Sequence, residues 1–127
     1  MDYTILMEKA IEASKTSYSP YSKFSVGACV LTENDKTYCG CNFENASYGL
    51  SICAERNAIG SAIADGEDKI KAIAIYSPKM DLCYPCGACR QVIHEFRSSQ
   101  GVDIILKKGI DLEVHKLSEL FPAGFEL

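Results

Sequence analysis

Two cysteines three residues apart, Cys86 and Cys89, follow a proline in the run Pro85-Cys86-Gly87-Ala88-Cys89-Arg90-Gln91. An apolar-periodic stretch comes next, so the pattern predicts both thiols on the first turn of a helix. Pro85 suits that start, because its φ is already helical and a first-turn residue needs no intrahelical N–H. Positions i and i+3 share a face. The positive end of the helix dipole lowers a thiol's pKa and favours the thiolate, which is the form that binds metal. Upstream, Cys53-Ala54-Glu55-Arg56 offers a third sulfur at the start of another expected helix. A catalytic zinc takes three protein ligands and keeps one position open, whereas a structural zinc is closed by four.

Glu55 stands two residues after Cys53 and is expected to stay off the metal. Zinc lowers the pKa of its water to about 7, so hydroxide is available at neutral pH. A Cys-x-Glu followed by Pro-Cys-x-x-Cys matches the signature of zinc deaminases acting on nucleobases. In those enzymes the glutamate moves the water proton to the ring and on to the departing amine. Residues i and i+2 do not share a helix face, so Cys53 and Glu55 converge only on a site just beyond a helix end. Three thiolates leave zinc with a formal charge of about −1. Arg56 is expected to offset this by donating to the sulfurs from the next shell out.

Other uses of these cysteines are open on the sequence. Cys83 lies three before Cys86, so Cys53, Cys83, Cys86 and Cys89 would make a closed four-sulfur zinc in an interaction module without catalysis. Cys83-Tyr84-Pro85-Cys86 also has the spacing of a redox pair. Cys29, Cys39 and Cys41 fall in strand patterns and are expected as small buried hydrophobes. His94 and His115 belong to no motif, and packing or surface roles are expected for both.

The chain has 127 residues, 47% of them hydrophobic and 24% charged, which is ordinary globular composition. That length predicts one domain spanning 1–127. A formal net charge of −4 argues against a nucleic-acid polymer as the main partner. No apolar run reaches membrane-spanning length, and Met1-Asp2-Tyr3-Thr4 does not begin a signal peptide. Seven cysteines, an odd number, suit metal ligation or burial in a reducing compartment better than a disulfide framework. The expected location is the cytoplasm.

The elements that must carry these groups are read from periodicity. An amphipathic helix is expected over 2–16, a loop over 17–22, and strands over 24–31 and 37–42 joined by a turn. A polar, aromatic loop over 43–50 leads to Ser51 as the N-cap of a helix over 52–64, ended by Gly66. A strand over 71–76, the helix after Pro85 to about Arg97, strands over 102–106 and 112–115, and a short turn over 117–120 complete the chain. Strands alternating with helices after an initial hairpin predict a three-layer α/β/α sandwich with a mixed five-stranded sheet.

Longer stretches carry a more specific likeness. Ser17-Tyr18-Ser19-Pro20-Tyr21-Ser22-x-Phe24-x-Val26-Gly27-Ala28, Gly40-Cys41-Asn42-x-Glu44-Asn45-Ala46-Ser47-Tyr48-Gly49-Leu50 and the two cysteine motifs resemble the small homotetrameric zinc-dependent cytidine deaminases. The tail Leu120 to Phe125 is similar to that family's Leu-x-Pro-x-x-Phe, except that Phe121 replaces a common leucine. The resemblance implies one Zn²⁺ per subunit on Cys53, Cys86 and Cys89, with Glu55 as the proton carrier. It implies that Asn42 and Glu44 hold the ribose hydroxyls, that Phe24 packs on the base, and that the Ala54 backbone meets the pyrimidine. It also implies a homotetramer in which Ala46, Tyr48 and Phe125 reach a neighbouring subunit's site.

The implied reaction is hydrolytic deamination of cytidine and 2′-deoxycytidine, with a nucleoside-like antibiotic as a rival substrate. An editor of polynucleotides fits the acidic chain less well. From the residues alone Phe24 is equally a core residue, Asn42 and Glu44 a solvated strand end, and Phe125 a tail anchor.

Overall fold

A computed structural model describes residues 2–127. Helix α1 (Thr4–Ser14) leads into strand β1 (Gly27–Thr32), which turns through Asp35 into β2 (Thr37–Cys41). Helix α2 (Ala54–Ala64), β3 (Ile70–Tyr76) and α3 (Gly87–Glu95) follow. The chain finishes with β4 (Asp103–Lys108), β5 (Asp111–Lys116) and the single turn α4 (Leu117–Leu120). The sheet order is β2-β1-β3-β4-β5, with β3 and β4 parallel and every other pair antiparallel. The expected mixed sheet is present, and helices cover both of its faces.

Strand β3 shows how the layers are built. Its side chains alternate faces, so Ala72 and Ala74 look toward α1 while Ile73 and Ile75 look toward α2 and α3. Small residues let α1 lie close, with Leu6, Met7 and Ala10 buried against Cys29 and Ile105. At Gly27 the approach is closest: a Cβ there would fall 2.0 Å from the Ala10 carbonyl oxygen. The opposite layer is larger and packs Ile59 and Ile93 on Val30, Ile104 and Leu106. Each fully buried aliphatic chain of this kind stabilises the fold by roughly 1.5–3 kcal/mol.

Helix α2 ends as expected at Gly66. The Gly66 N–H donates to Ile63 and the Glu67 N–H to Ala62, both at 2.9 Å, and Gly66 takes φ +89°. That double bond closes the last carbonyls, and the left-handed residue costs glycine nothing.

The register explains where a site can form. Gly27 pairs with both Cys41 and Tyr76. The entry to β1 and the exits of β2 and β3 therefore meet at one edge of the sheet. The loops that leave this edge carry Phe24, Asn42, Glu44 and the Cys86 turn.

Several boundaries differ from expectation. Strand β1 begins at Gly27 rather than Phe24, because the Asn42 side chain takes the polar groups a ladder would use. Its Oδ1 accepts from the Val26 N–H at 2.9 Å and its Nδ2 donates to the Phe24 carbonyl at 2.8 Å. Ser51 does not cap α2. Its hydroxyl accepts from the Asn45 N–H at 3.2 Å, and Ile52 is held extended by two backbone bonds to Phe43. The helix starts two residues later, with Cys53 as N-cap.

Candidate metal centre and active site

Cys53 is the N-cap of α2 and Cys86 the N-cap of α3, both with extended backbone. Pro85 therefore precedes the cap instead of opening the helix. Cys89 sits on the first turn of α3, as its spacing predicts. The two helix starts bring their cysteines together, and the three Sγ atoms lie within 4.8 Å of one another. Sulfurs around a tetrahedral zinc, each about 2.3 Å from the ion, are about 3.8 Å apart. A small inward movement of these side chains would close on the ion, so the donor set fits zinc.

Charge at the cluster points the same way. Hydrogen bonding from Cys89, opposed by burial and aided by Arg56, holds the Cys53 thiol down to about 5. Cys89 is raised in turn, by its bond to Cys53 and by burial. The Cys53 and Cys89 sulfurs thus compete for a proton, and a divalent ion would remove that conflict. Arg56 brings Nη2 to 3.5 Å from Cys53 Sγ. Its Nε is buried and has no hydrogen-bond partner among the described residues.

Cys83 is not part of the cluster. Its thiol is raised to about 11 by burial and then by the nearby Glu55 charge. Its sulfur lies outside the group that comes within 4.8 Å, so the closed four-sulfur arrangement is not formed.

Glu55 occupies the first turn of α2 and is only 5% exposed. With Cys53 outside the helix proper, the two converge on one spot despite their i, i+2 spacing. Burial, with the Cys53 charge adding to it and the residue's own N–H opposing, lifts the Glu55 carboxyl to about 7. It lines a cavity of about 370 Å³ together with Phe24, Asn42, Ala54, Cys53 and Cys86. The cavity is predominantly apolar at the Phe24 and Val26 side and polar at Asn42 and Glu44. Ser22, Val26, Cys83 and Tyr84 also border it, although no substrate-binding role is expected of them from the sequence.

Asn42 and Glu44 are more occupied than a solvated strand end would be. Besides its bonds to Val26 and Phe24, Asn42 Oδ1 accepts from Ser17 at 2.5 Å. Glu44 Oε1 accepts from the N–H groups of Tyr21 and Ser22 at 3.0 and 3.1 Å, and Oε2 accepts from the Ser22 hydroxyl. These bonds, led by the Ser22 hydroxyl, hold the Glu44 carboxyl below its ordinary value. Both side chains thus fold the 17–26 loop over the sheet edge. One Asn42 N–H and the outer lone pairs of Glu44 remain for a ligand.

Tyr48 borders an adjoining hollow of about 230 Å³ that shares Asn42, Glu44 and Cys53 with the main cavity. Ala46 is exposed and lines neither. Phe125 is also remote from its own chain's cavity. Its backbone exchanges two hydrogen bonds with the Gln91 side chain, at 3.0 and 3.1 Å, while the residue is 67% exposed. His94 and His115 play the packing roles expected of them, His94 beneath Gly124 and Phe121, His115 beside Tyr84.

One residue outside the motif logic fixes the cysteine turn. Arg90 donates from Nε to the Pro85 carbonyl and from Nη1 to the Leu120 carbonyl, both at 2.8 Å. It ties the residue before Cys86 to the C-terminal turn.

Residues 2–103 match the cytidine and deoxycytidylate deaminase zinc-binding region. The chain belongs to the zinc-dependent cytidine deaminase family. The matched stretch contains all three clustered cysteines, which form its zinc-binding triad. The chain is 42% identical over 126 residues to a cytidine deaminase of Sporosarcina psychrophila, covering 98% of this chain and 92% of that one. Its structure is similar to a crystal structure of cytidine deaminase from Burkholderia pseudomallei, with a TM-score of 0.90, 41% identity, and 98% and 100% of the two chains covered. It is also similar to the cytidine deaminase structure from Mycobacterium tuberculosis, with a TM-score of 0.86, 33% identity, and 100% and 99% covered. The cytidine deaminase fold, with its mixed five-stranded sheet, is thus common to all three structures.

Proposed function

We infer that this protein hydrolyses cytidine and 2′-deoxycytidine to uridine and 2′-deoxyuridine, releasing ammonia. The observation that carries this reading is Glu55: buried, outside the sulfur cluster, and lining the same cavity as two of the clustered cysteines. Zinc, when held by Cys53, Cys86 and Cys89, supplies acidified water at neutral pH.

The remaining work falls to the chain's own side chains. Glu55 takes a proton from the attacking water and delivers it to ring N3. It then delivers the second proton to the amine as the C4–N bond breaks. Phe24 and Val26 give the base an apolar face, and the Ala54 backbone meets its edge. Asn42 and Glu44 hold the ribose hydroxyls with the donor and lone pairs their loop contacts leave over. No basic cleft is needed, because a free nucleoside has no phosphate, and the net charge of −4 agrees.

Ala46, Tyr48 and Phe125 complete a neighbouring subunit's site in a homotetramer. Their exposure supports this reading: Tyr48 is 62% and Phe125 67% accessible in the single chain. We assign the protein to the cytoplasm, where metal-binding thiols stay reduced, and to the recovery of pyrimidine nucleosides.

The test is loss of cytidine absorbance on adding zinc-loaded protein, and its abolition in Glu55→Ala with zinc content retained. A metal-replete preparation that turns over neither cytidine nor 2′-deoxycytidine overturns the reading. Turnover confined to a nucleoside-like antibiotic in the same panel overturns only the substrate.

A further inference from the structure

A second pair of cysteines lies on the opposite face of the sheet from the zinc site. Cys29 on β1 and Cys39 on β2 are direct cross-strand partners. Opposed residues of an antiparallel pair have Cα atoms about 4.5–5.5 Å apart. That separation falls inside the range of about 4.4–6.8 Å that a disulfide spans. The two Sγ atoms already approach to 2.8 Å, close enough to share one S–H.

The two thiols are otherwise unlike. Cys29 is fully buried, enclosed by α1, whereas Cys39 is exposed, because β2 is the edge strand. Cys39 opens into a shallow hollow that it shares with Ile5, Glu8, Lys9 and Glu12 of α1. Lys9 reaches Thr37, two residues from Cys39 and on the same face, at 2.8 Å. One thiol is thus accessible beside a cation, and the other waits behind it, shielded from solvent. An accessible thiolate next to a resolving cysteine is the arrangement of a reversible oxidation site.

We propose that Cys39 and Cys29 form a reversible thiol–disulfide site, in which a peroxide oxidises Cys39 and Cys29 resolves it. The Cys39 sulfur attacks one peroxide oxygen; the O–O bond breaks, an S–O bond forms, and the other oxygen leaves as water after protonation. Cys29 then attacks the Cys39 sulfur. An S–S bond forms, the S–O bond breaks, and the second oxygen departs as water with the Cys29 proton. One peroxide is reduced to two waters and two thiols are oxidised to one disulfide. The electrostatics favour this order: the Cys29 S–H, with partial burial opposing and Lys9 assisting, draws the Cys39 thiol down to about 7. The product fixes the edge strand to its neighbour without touching the zinc ligands, which face the other layer.

The test treats zinc-loaded protein with one equivalent of hydrogen peroxide, alkylates it under denaturing conditions and digests it with trypsin without reductant. Cys29 is the sole cysteine of peptide Phe24–Lys36, and Cys39 lies in Thr37–Arg56 with Cys41 and Cys53. The expected result is a cross-link between these peptides in the native sequence and in Cys41→Ser, absent from Cys39→Ser and from Cys39→Ala, and reversed by dithiothreitol. Two of the four thiols outside the zinc cluster disappear while zinc content stays constant. A cross-link that survives in either Cys39 variant, full alkylation of Cys29 after treatment, or thiol loss matched by zinc release overturns the proposal.

Discussion

The Asn57 side-chain amide donates to the Cys41 carbonyl at 2.7 Å and ties the end of β2 to the first turns of α2. Gly40 lies against the same turns. A Cβ there would fall 2.5 Å from the Ala58 nitrogen and 2.9 Å from the Ala54 carbonyl oxygen. These are backbone atoms, which cannot swing aside. Gly40→Ala therefore pushes apart the strand that leads to Asn42 and the helix that carries Cys53 and Glu55. A loss of about 1–3 kcal/mol is expected, as for other overpacked sites. A lowered urea midpoint together with weakened zinc retention is the expected result; an unchanged midpoint contradicts the close packing.

Arg56 is expected to matter through the metal. It touches Cys53 Sγ and its buried Nε is unpaired among the described residues, so Arg56→Gln removes a cation beside the sulfurs. Groups in this position typically contribute about 10–100-fold to metal affinity. Competition with a chromophoric chelator measures the effect. Equal zinc affinity and equal turnover would exclude the role.

Cys83→Ser separates the three-sulfur site from a four-sulfur one. Cys83 lies outside the cluster, so the variant is expected to retain zinc and activity. Loss of the metal on this substitution would show that Cys83 is a ligand.

Removing the metal should cost stability by mass action. Zinc binds the folded cluster far better than an open chain, and free ligand at about 100 times its dissociation constant stabilises by about 2.7 kcal/mol. Chelated protein is expected to melt lower and to recover on adding zinc. A melting point indifferent to chelation would mean that the site is not coupled to folding.

Acid sensitivity has a local origin away from the site. Asp103 accepts from Tyr3 and from Lys116, both at 2.6 Å. Burial opposes its ionisation, yet the bonds from Lys116 and Tyr3 win and its carboxyl is lowered below the ordinary aspartate value. A carboxyl depressed in the folded state stabilises the protein above its unfolded pKa of about 3.9 and loses that contribution as pH falls through the folded value. Asp103→Asn should lower stability at neutral pH and flatten the acid limb of a stability profile. An acid limb parallel to that of the native sequence would assign the sensitivity elsewhere.

The chemistry of the centre was legible because metal ligation demands particular residue types at short spacings. Cys86 and Cys89 are neighbours in the chain, and Cys53 announces itself by Glu55. What escaped were the partners of Asn42 and Glu44, since Ser17, Tyr21, Ser22 and Val26 are brought to them only by the loop that they themselves fold. Helix starts were displaced for a related reason: Ser51 spends its hydroxyl on Asn45, and no propensity rule anticipates that. Cys39 was expected to be buried with Cys29 and Cys41. A strand pattern does not say which strand lies at the sheet's edge, and β2 does.

Cys53 and Cys86 sit at N-cap positions without a side-chain bond to the turns behind them, and the starts of α2 and α3 meet at one cluster of sulfurs. Two segments far apart in the chain consequently share a single fastener. Stripping it should loosen both leading turns together, and amide exchange there would accelerate in concert while the distant β4–β5 hairpin stayed quiet.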